Sequence, residues 1–299
     1  MWLRNLTVFQ SDKPFPWSAA ELNGLLEKVR CPAIGQQTPS VDGFVAPLRD
    51  DDLMVHAIDG FLYCQYQETA RLLPAGVIKE ELDARVDAIE ASEGRRPGRK
   101  QRADMKDQIT FELLPKAFTR SRRIHVLIDT ERNRILVDIA AANRADQVIS
   151  VLRKAVDSLP VKRPEAKVAP TEVLTRWLTD PQQLPAGITL GDRCELKSPR
   201  EGGGSIKASA MDLGREEVLA HLRAGMLAVN LNLCWQDLFE FDLTEELQIK
   251  RLRPLDLIRE QIDGIDAEDA VAELQARIAL QGQALRALLD NLGEQFGDA

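Results

Sequence analysis

The 299-residue sequence lacks the motifs that carry most enzyme chemistry. Its three histidines, His56, His125 and His221, lie far apart, and none has a second His or Cys at metal-ligand spacing. The glycine-rich stretch Gly202–Lys207 does not have P-loop spacing, and neither a GxGxxG nor a GxSxG motif is present. Since nothing argues for an active site, we expect a non-enzymatic protein that uses no cofactor and no metal.

Paired cysteines and long apolar runs are also missing. The four cysteines are widely separated and lack the CxxC spacing of zinc ribbons and thioredoxin-like sites, so we expect reduced thiols. No apolar run approaches the length that crosses a bilayer, and the first residues lack the apolar core of a signal peptide. These absences predict a cytoplasmic protein with no membrane contact.

One acidic run, Asp50–Asp52, could bind a hard cation and support a metal-dependent hydrolase. It does not have the ladder of ligands that a calcium loop needs. Short charge runs are more often exposed to solvent in turns. We therefore favour a solvated turn here and rank a hydrolase last among the hypotheses.

Strand and helix patterns are interspersed along the chain, which favours the α+β class. The Asp59-Gly60 pair predicts a hairpin, and Ser18 with Glu21 forms the capping box of a helix start. Alternating apolar residues predict strands at 3–9, 55–58, 61–66, 123–129, 135–139, 188–196, 205–211, 227–233 and 239–243. Apolar residues at helical spacing predict helices near 22–29, 78–89, 103–114, 145–159, 173–178 and 216–222, and from about 266 onward.

These patterns predict four regions. Residues 1–75 and 124–162 form a central α+β body, and residues 76–123 form a projecting basic helical hairpin, which we call the tip. Residues 163–253 form a second α+β base region, and residues 254–299 form C-terminal helices that pack on the body. The polar, proline-containing segment 161–170 is predicted to be a linker.

Positive charge is concentrated in one segment of this acidic chain. Residues 94–123 contain ten basic and three acidic residues, a net charge of +7, whereas the whole chain carries −8. The ten basic residues are Arg95, Arg96, Arg99, Lys100, Arg102, Lys106, Lys116, Arg120, Arg122 and Arg123. Segregation of this size produces a local positive potential, for which polyanions are the common partners.

Charge alone leaves three interpretations of this segment open. It could contact nucleic acid, dock on an acidic protein partner as an adaptor, or be a solvated arm whose bases pair with nearby acids. No helix-turn-helix, zinc finger or basic zipper is recognisable, and with only two tyrosines the chain lacks an aromatic platform for unpaired bases. Binding to nucleic acid would therefore depend on phosphate contacts.

Phe118 is a large apolar side chain in the middle of this charged segment. It could fold back into the protein core, which is the usual fate of a single phenylalanine. It could instead anchor a contact between subunits, because aromatic residues within polar rims make good anchors.

Several collinear segments resemble the RdgC family of recombination-associated proteins. They are Trp2–Phe9, Leu113–Arg120, Ile128–Thr130, Val151–Lys154, Ser158–Pro160, Glu195–Lys197, Asp212–Leu213 and Leu233–Gln236. The stretch Leu113–Phe118 is the most specific of them, and together they cover nearly the full length.

The resemblance implies a bacterial, nucleoid-associated DNA-binding protein without enzymatic activity. Members of this family form a ring-shaped homodimer, and duplex DNA is expected to pass through its basic opening largely without sequence preference. Single-stranded DNA is a further candidate ligand. Bound protein is expected to restrain RecA-promoted strand exchange by competing for DNA.

Matched residues of this chain then take the family's roles. Phe118 matches the tip phenylalanine that packs against the partner subunit, and Lys116 and Arg120 match positions beside it. The strand Ser205–Ala210 matches a family segment richer in bases, of which only Lys207 remains here. The predicted DNA-binding residues are therefore Arg95, Arg96, Arg99, Lys100, Lys116, Arg120, Arg122 and Lys207.

Overall fold

The computed structural model describes residues 2–200 and 202–297 and confirms the α+β class, with two antiparallel sheets. Its helices are α1 Ala19–Leu26, α2 Ala75–Glu93, α3 Arg99–Leu113, α4 Ala142–Val156, α5 Pro170–Thr179, α6 Glu216–Arg223, α7 Asp256–Asp263 and α8 Ala270–Phe296. Its strands are β1 Thr7–Ser11, β2 Ser40–Val45, β3 His56–Ile58, β4 Phe61–Leu72, β5 Phe118–Asp129, β6 Arg134–Val137, β7 Val161–Lys162, β8 Ile188–Lys197, β9 Ser205–Ala208, β10 Leu227–Trp235, β11 Phe239–Thr244 and β12 Ile249–Pro254.

The first sheet has the strand order β2-β4-β5-β6-β1-β7, with β3 paired to β4, and the second has the order β12-β11-β10-β8-β9. The chain divides into two compact units. Unit 1 consists of Met1–Lys28, Ala46–Gln65 and Ile124–Ala299, and unit 2 consists of Val29–Val45 and Tyr66–Arg123. The four regions expected from the sequence divide the chain at other positions, and that division stays a prediction.

The long C-terminal helix α8 anchors the core of unit 1. Of the predicted near-heptad apolar residues, Val271 is half-buried, and five are buried: Leu274, Ile278, Leu285, Leu288 and Leu292. Phe296 is buried as well. Gly282 lies on the same buried face, where a Cβ atom would come within 2.8 Å of the Phe61 ring. Glycine costs about 1 kcal/mol in a helix interior. Here it is required because the ring occupies the space of a side chain.

The N-terminal segment changes sheets as it enters β1. Leu6 exchanges backbone hydrogen bonds with Ile249 of β12 (2.7 and 3.2 Å), and Leu252 donates to Arg4 (2.7 Å). From Thr7 onward the chain pairs with β6 instead. The segment predicted as one strand at 3–9 therefore pairs with two strands in turn, first with β12 and then with β6.

Unit 2 contains β2, parts of β4 and β5, and the helical hairpin of α2 and α3. The hairpin has a small apolar contact surface, with Val86 of α2 and Ile109 of α3 buried. Arg85 holds the two helices together, because its guanidinium bonds Glu81 on α2 and Glu112 on α3 (3.1 and 2.6 Å). The two helices predicted near 78–89 and 103–114 are thus present, whereas the projecting tip at 76–123 stays a prediction.

Among the boundaries that differ from the sequence prediction, three lie at the hairpin and at the predicted linker. Helix α3 begins at Arg99 rather than near 103, because Gly98 provides an extended N-cap directly after Pro97. Strand β5 begins at Phe118 rather than Arg123, although its first six residues are all exposed and show no apolar alternation. The predicted linker 161–170 includes β7, which pairs with β1.

Candidate nucleic-acid interface

The turn of the helical hairpin brings Arg95 and Arg96 next to the acidic end of α2. Gly94 ends α2 in the left-handed conformation at φ +67°. Arg95 then pairs with Glu93 (3.1 Å) and Arg96 with Glu90 (2.6 Å). Two of the predicted DNA-binding arginines are therefore bonded to carboxylates of their own hairpin, as the solvated-arm interpretation requires.

Arg99 and Lys100 lie in the first turn of α3, and neither side chain has an ion pair among residues 2–200 and 202–297. Gly98 offers no side-chain cap, so the first amides of the helix keep free N–H groups. Each cation near this end interacts unfavourably with the helix dipole, at a cost of about 0.3–1 kcal/mol in stability. Uncapped amides beside unpaired cations form an arrangement that favours an anion.

A second set of free bases lies on the exposed start of β5. Side chains alternate along a strand, so Phe118, Arg120 and Arg122 point to one face. Ser121 points to the other face, where its hydroxyl is 2.8 Å from that of Thr69. Within the described part of the chain, Lys116, Arg120 and Arg122 form no ion pair. The structure therefore leaves Arg120 and Arg122 available to a partner, whereas Lys116, just before β5, interacts electrostatically with Glu112.

Phe118 does not fold back into the core of the single chain, since 84% of its surface is exposed. The first of the two fates considered for it is therefore wrong. Leu72, Val77 and Phe111 of unit 2 are also exposed. Unit 2 thus presents large apolar side chains as well as free positive charge.

Lys207 lies on β9, at the edge of the second sheet in unit 1. It is directly opposite Glu195 of β8, and their side chains are 3.1 Å apart. The lysine remains 72% exposed, so this pair is a weak surface interaction. Lys207 is thus accessible but partly neutralised.

Sequence reasoning missed a cluster of arginines in unit 1. Five arginines and Trp2 line a cavity of about 680 Å³; the arginines are Arg4, Arg193, Arg251, Arg253 and Arg259. They come from three distant parts of the chain: the N-terminal segment, β8, and β12 with the helix α7 that follows it. The available signal was the short run Lys250–Arg253, which has three bases in four residues of an acidic chain.

The acidic run considered as a metal site forms a turn. Asp51 accepts a hydrogen bond from the Leu53 amide (2.9 Å), and its carboxylate is 3.7 Å from His56 Nε2. Burial lowers the pKa of His56, although the Asp51 charge opposes this shift. Within residues 2–200 and 202–297, no group of three or more His, Cys, Asp and Glu side chains is arranged to hold a metal ion.

The other residues singled out by type are placed as follows. His125 Nδ1 lies 2.6 Å from the Tyr63 hydroxyl in a polar group that includes Gln65. The four cysteines are free. None of the helices in the described ranges combines the length and apolar character needed to cross a membrane.

Comparison with known proteins gives a consistent result over the full length. A family model described as "Putative exonuclease, RdgC" matches residues 1–299. A relative from Psychromonas ingrahamii is 35% identical over 299 residues, covering 99% of this chain and 98% of its own. Relatives from Xanthomonas campestris pv. campestris (strain B100) and Pseudomonas aeruginosa (strain LESB58) are each 36% identical, over 290 and 300 residues. They cover 96% and 99% of this chain, and 95% and 97% of their own. All three are named "Recombination-associated protein RdgC".

Proposed function

This chain belongs to the RdgC family, and from that premise we propose that it acts in recombination as a protein that binds duplex DNA without sequence preference. By occupying DNA it would restrain RecA-dependent strand exchange. This role places the protein in the cytoplasm, on the nucleoid. The names of its relatives support the recombination role, and the charges of unit 2 support the DNA contact.

One observation carries the proposal: four bases of unit 2 have no acidic partner within the described chain, in contrast to Arg95 and Arg96. Arg99 and Lys100 flank the uncapped start of α3, and Arg120 and Arg122 share one face of β5. Each guanidinium or ammonium group can bond a phosphate oxygen directly. Contacts of this type follow the backbone of DNA and do not read its bases.

A homodimer would use the apolar residues of the same unit. Phe118 is the most exposed large apolar side chain in the described ranges, and a second copy of the chain would bury it. We propose that this contact closes a ring around DNA. Phe118→Ala should weaken self-association, measured by sedimentation velocity, and should shorten the lifetime on circular duplex more than on short linear duplex. Unchanged association would make Phe118 a surface residue without this role.

We propose binding without catalysis, although the family description includes the word exonuclease. One assay distinguishes DNA binding from DNA cleavage. End-labelled linear duplex is incubated with the protein and Mg²⁺ or Mn²⁺, with and without replacement of Asp50–Asp52 by Asn. Release of nucleotides that depends on metal and on these aspartates would refute the non-enzymatic assignment.

An adaptor role is the second candidate, and the pairs of Arg95 and Arg96 with Glu93 and Glu90 favour it. These pairs show that the turn accepts carboxylates, the groups that an acidic protein partner would supply. An adaptor for an acidic protein would have negligible affinity for bare DNA at physiological salt.

A salt titration on random duplex separates the two candidates. DNA binding predicts similar affinities for two unrelated sequences and a log–log salt slope of about −0.9 per phosphate contact. The unit 2 variant, defined as Arg99→Ala, Lys100→Ala, Arg120→Ala and Arg122→Ala, should flatten this slope by about 3–4. Wild-type affinity in this variant would overturn the proposed site.

A further inference from the structure

The arginine cavity of unit 1, defined above by Arg4, Arg193, Arg251, Arg253, Arg259 and Trp2, lies outside the surface assigned to duplex DNA. No acidic side chain lines it. The charged groups of this lining are all cations, which repel one another unless other groups hold them in place. The source of that support decides whether the cluster can bind a ligand.

Two acids behind the cavity wall provide the support. Asp242 is 1% exposed and pairs with Arg193 (3.2 Å) and Arg251. Glu240 accepts hydrogen bonds from Arg253 (2.8 Å) and Arg193. Burial opposes the ionisation of Glu240, but these two arginines outweigh it and lower the pKa of the carboxyl group. Both acids therefore hold the guanidinium groups from behind.

The arginines keep free donors on the cavity side. Arg251 and Arg253 each use a single nitrogen, Nη2, for their acidic partner. Arg259 makes one long contact of 3.5 Å with Asp256. The Arg4 side chain has no partner within the described residues. Since each guanidinium carries five N–H donors, most of them remain unused.

The backbone at Arg251 is strained. Its φ is +53°, a value unusual for a residue with a side chain, and a register shift between Glu240 and Asp242 marks a bulge in the pairing with β12. Such a conformation persists only where the surrounding contacts hold it. Bulges redirect side chains, and here the bulge brings Arg251 to both the Asp242 carboxylate and the cavity wall.

We propose that this cavity binds the phosphate groups of a flexible ligand, either a single-stranded DNA segment or a free polyphosphate. Guanidinium forks match phosphate oxygens in pairs, and their fixed positions reduce the entropy lost on binding. The site is concave, so it suits a chain that can bend into it, whereas a duplex presents its phosphates on a convex surface. The inference does not depend on the duplex contact of unit 2.

The test uses the full-length protein with two probes, a fluorescein-labelled ten-residue oligothymidylate and inorganic tripolyphosphate. The cavity variant carries Arg4→Gln, Arg253→Gln and Arg259→Gln, which leaves Arg193 and Arg251 to neutralise buried Asp242. Its affinity for the oligonucleotide, measured by fluorescence anisotropy, should fall about tenfold or more, with a salt slope flatter by about 2. Calorimetry with tripolyphosphate should show a similar loss.

Controls separate this inference from misfolding and from the duplex proposal. Arg223→Gln removes an exposed arginine that pairs with Glu216, and it should leave the affinity for both probes unchanged. The Arg259 side chain is 56% exposed, so Arg259→Glu alone should keep the fold. This single change should also weaken the binding of both probes. The unit 2 variant should lose duplex affinity yet still bind tripolyphosphate.

The two probes also identify the source of the phosphate. If the cavity variant loses affinity for the oligonucleotide alone, the site is assigned to single-stranded DNA. If it loses affinity for tripolyphosphate alone, the site is assigned to a small phosphate ligand. Wild-type affinity of a folded cavity variant for both probes would overturn the inference.

Discussion

The bases of unit 2 and those of the arginine cavity are held in opposite ways. In unit 2, Arg95 and Arg96 are about 70% exposed and pair with exposed glutamates, while Arg120 and Arg122 have no acidic partner in the described residues. In the cavity, buried Asp242 and half-buried Glu240 hold the arginines. The number of positive charges therefore says less about ligand binding than the burial of the acids beside them.

The largest expected difference between the two regions is in stability. Asp242→Ala should lower the free energy of unfolding by about 1–3 kcal/mol, because it removes the buried acceptor of Arg193 and Asn232, although Arg193 keeps Glu240. The matched change Glu93→Ala removes an exposed partner and should cost less than about 1 kcal/mol. Urea denaturation measures both, and equal losses would contradict the contrast.

Within unit 2, the comparison is between paired and free arginines. Arg120→Ala with Arg122→Ala should flatten the salt slope for duplex binding by about 1.8, from two lost phosphate contacts. Arg95→Ala with Arg96→Ala should change it less, since these arginines must first leave Glu93 and Glu90. Gel-shift titrations across salt concentrations give both slopes. A larger change in slope from Arg95→Ala with Arg96→Ala would mean that Glu93 and Glu90 do not compete with DNA for these arginines.

The acids of the cavity predict a pH dependence of stability. Because the pKa of Glu240 is lowered in the folded chain, its ionised form stabilises the fold above the ordinary value of 4.5. This contribution is lost as the pH falls through the lower folded pKa. The stability difference between wild type and Glu240→Gln should therefore shrink as the pH falls below 4.5. Thermal melts from pH 7 to pH 3 would show it, and a constant difference would exclude the mechanism.

The smallest expected effect comes from releasing the turn arginines. Glu90→Gln with Glu93→Gln removes their carboxylate partners and should increase duplex affinity about two- to fivefold, in line with the worth of exposed ion pairs. Gln108→Glu adds an acid to the same hairpin and should have the opposite sign. Unchanged affinity after release would leave Arg95 and Arg96 outside the DNA contact.

Local signals in the sequence predicted much of the fold because they act over a few residues. Ser18 and Glu21 form the predicted capping box, with both reciprocal hydrogen bonds present. Asp59 and Gly60 both have positive φ in the turn between β3 and β4, as the hairpin signal requires. The burial of α8 follows its apolar spacing.

Features that depend on distant residues could not be predicted in the same way. The first six residues of β5 have no apolar alternation, so only their pairing with β4 makes them a strand. Arg4 and Arg193 meet Arg251 through contacts between strands far apart in the chain. The pairing of Arg96 with Glu90 depends on how the turn bends after Gly94, which composition does not specify.

The contact between Phe61 and Gly282 has a consequence for sequence divergence. The ring is covered by a helix position without a side chain and by the Arg286 guanidinium, whose carbon lies 4.2 Å from the ring centre. A methyl group at 282 can be accommodated only if residue 61 becomes smaller, and a smaller residue 61 opens a void beneath Arg286. We expect these positions to covary among relatives, and a paired exchange such as Phe61→Leu with Gly282→Ala to be better tolerated than Gly282→Ala alone.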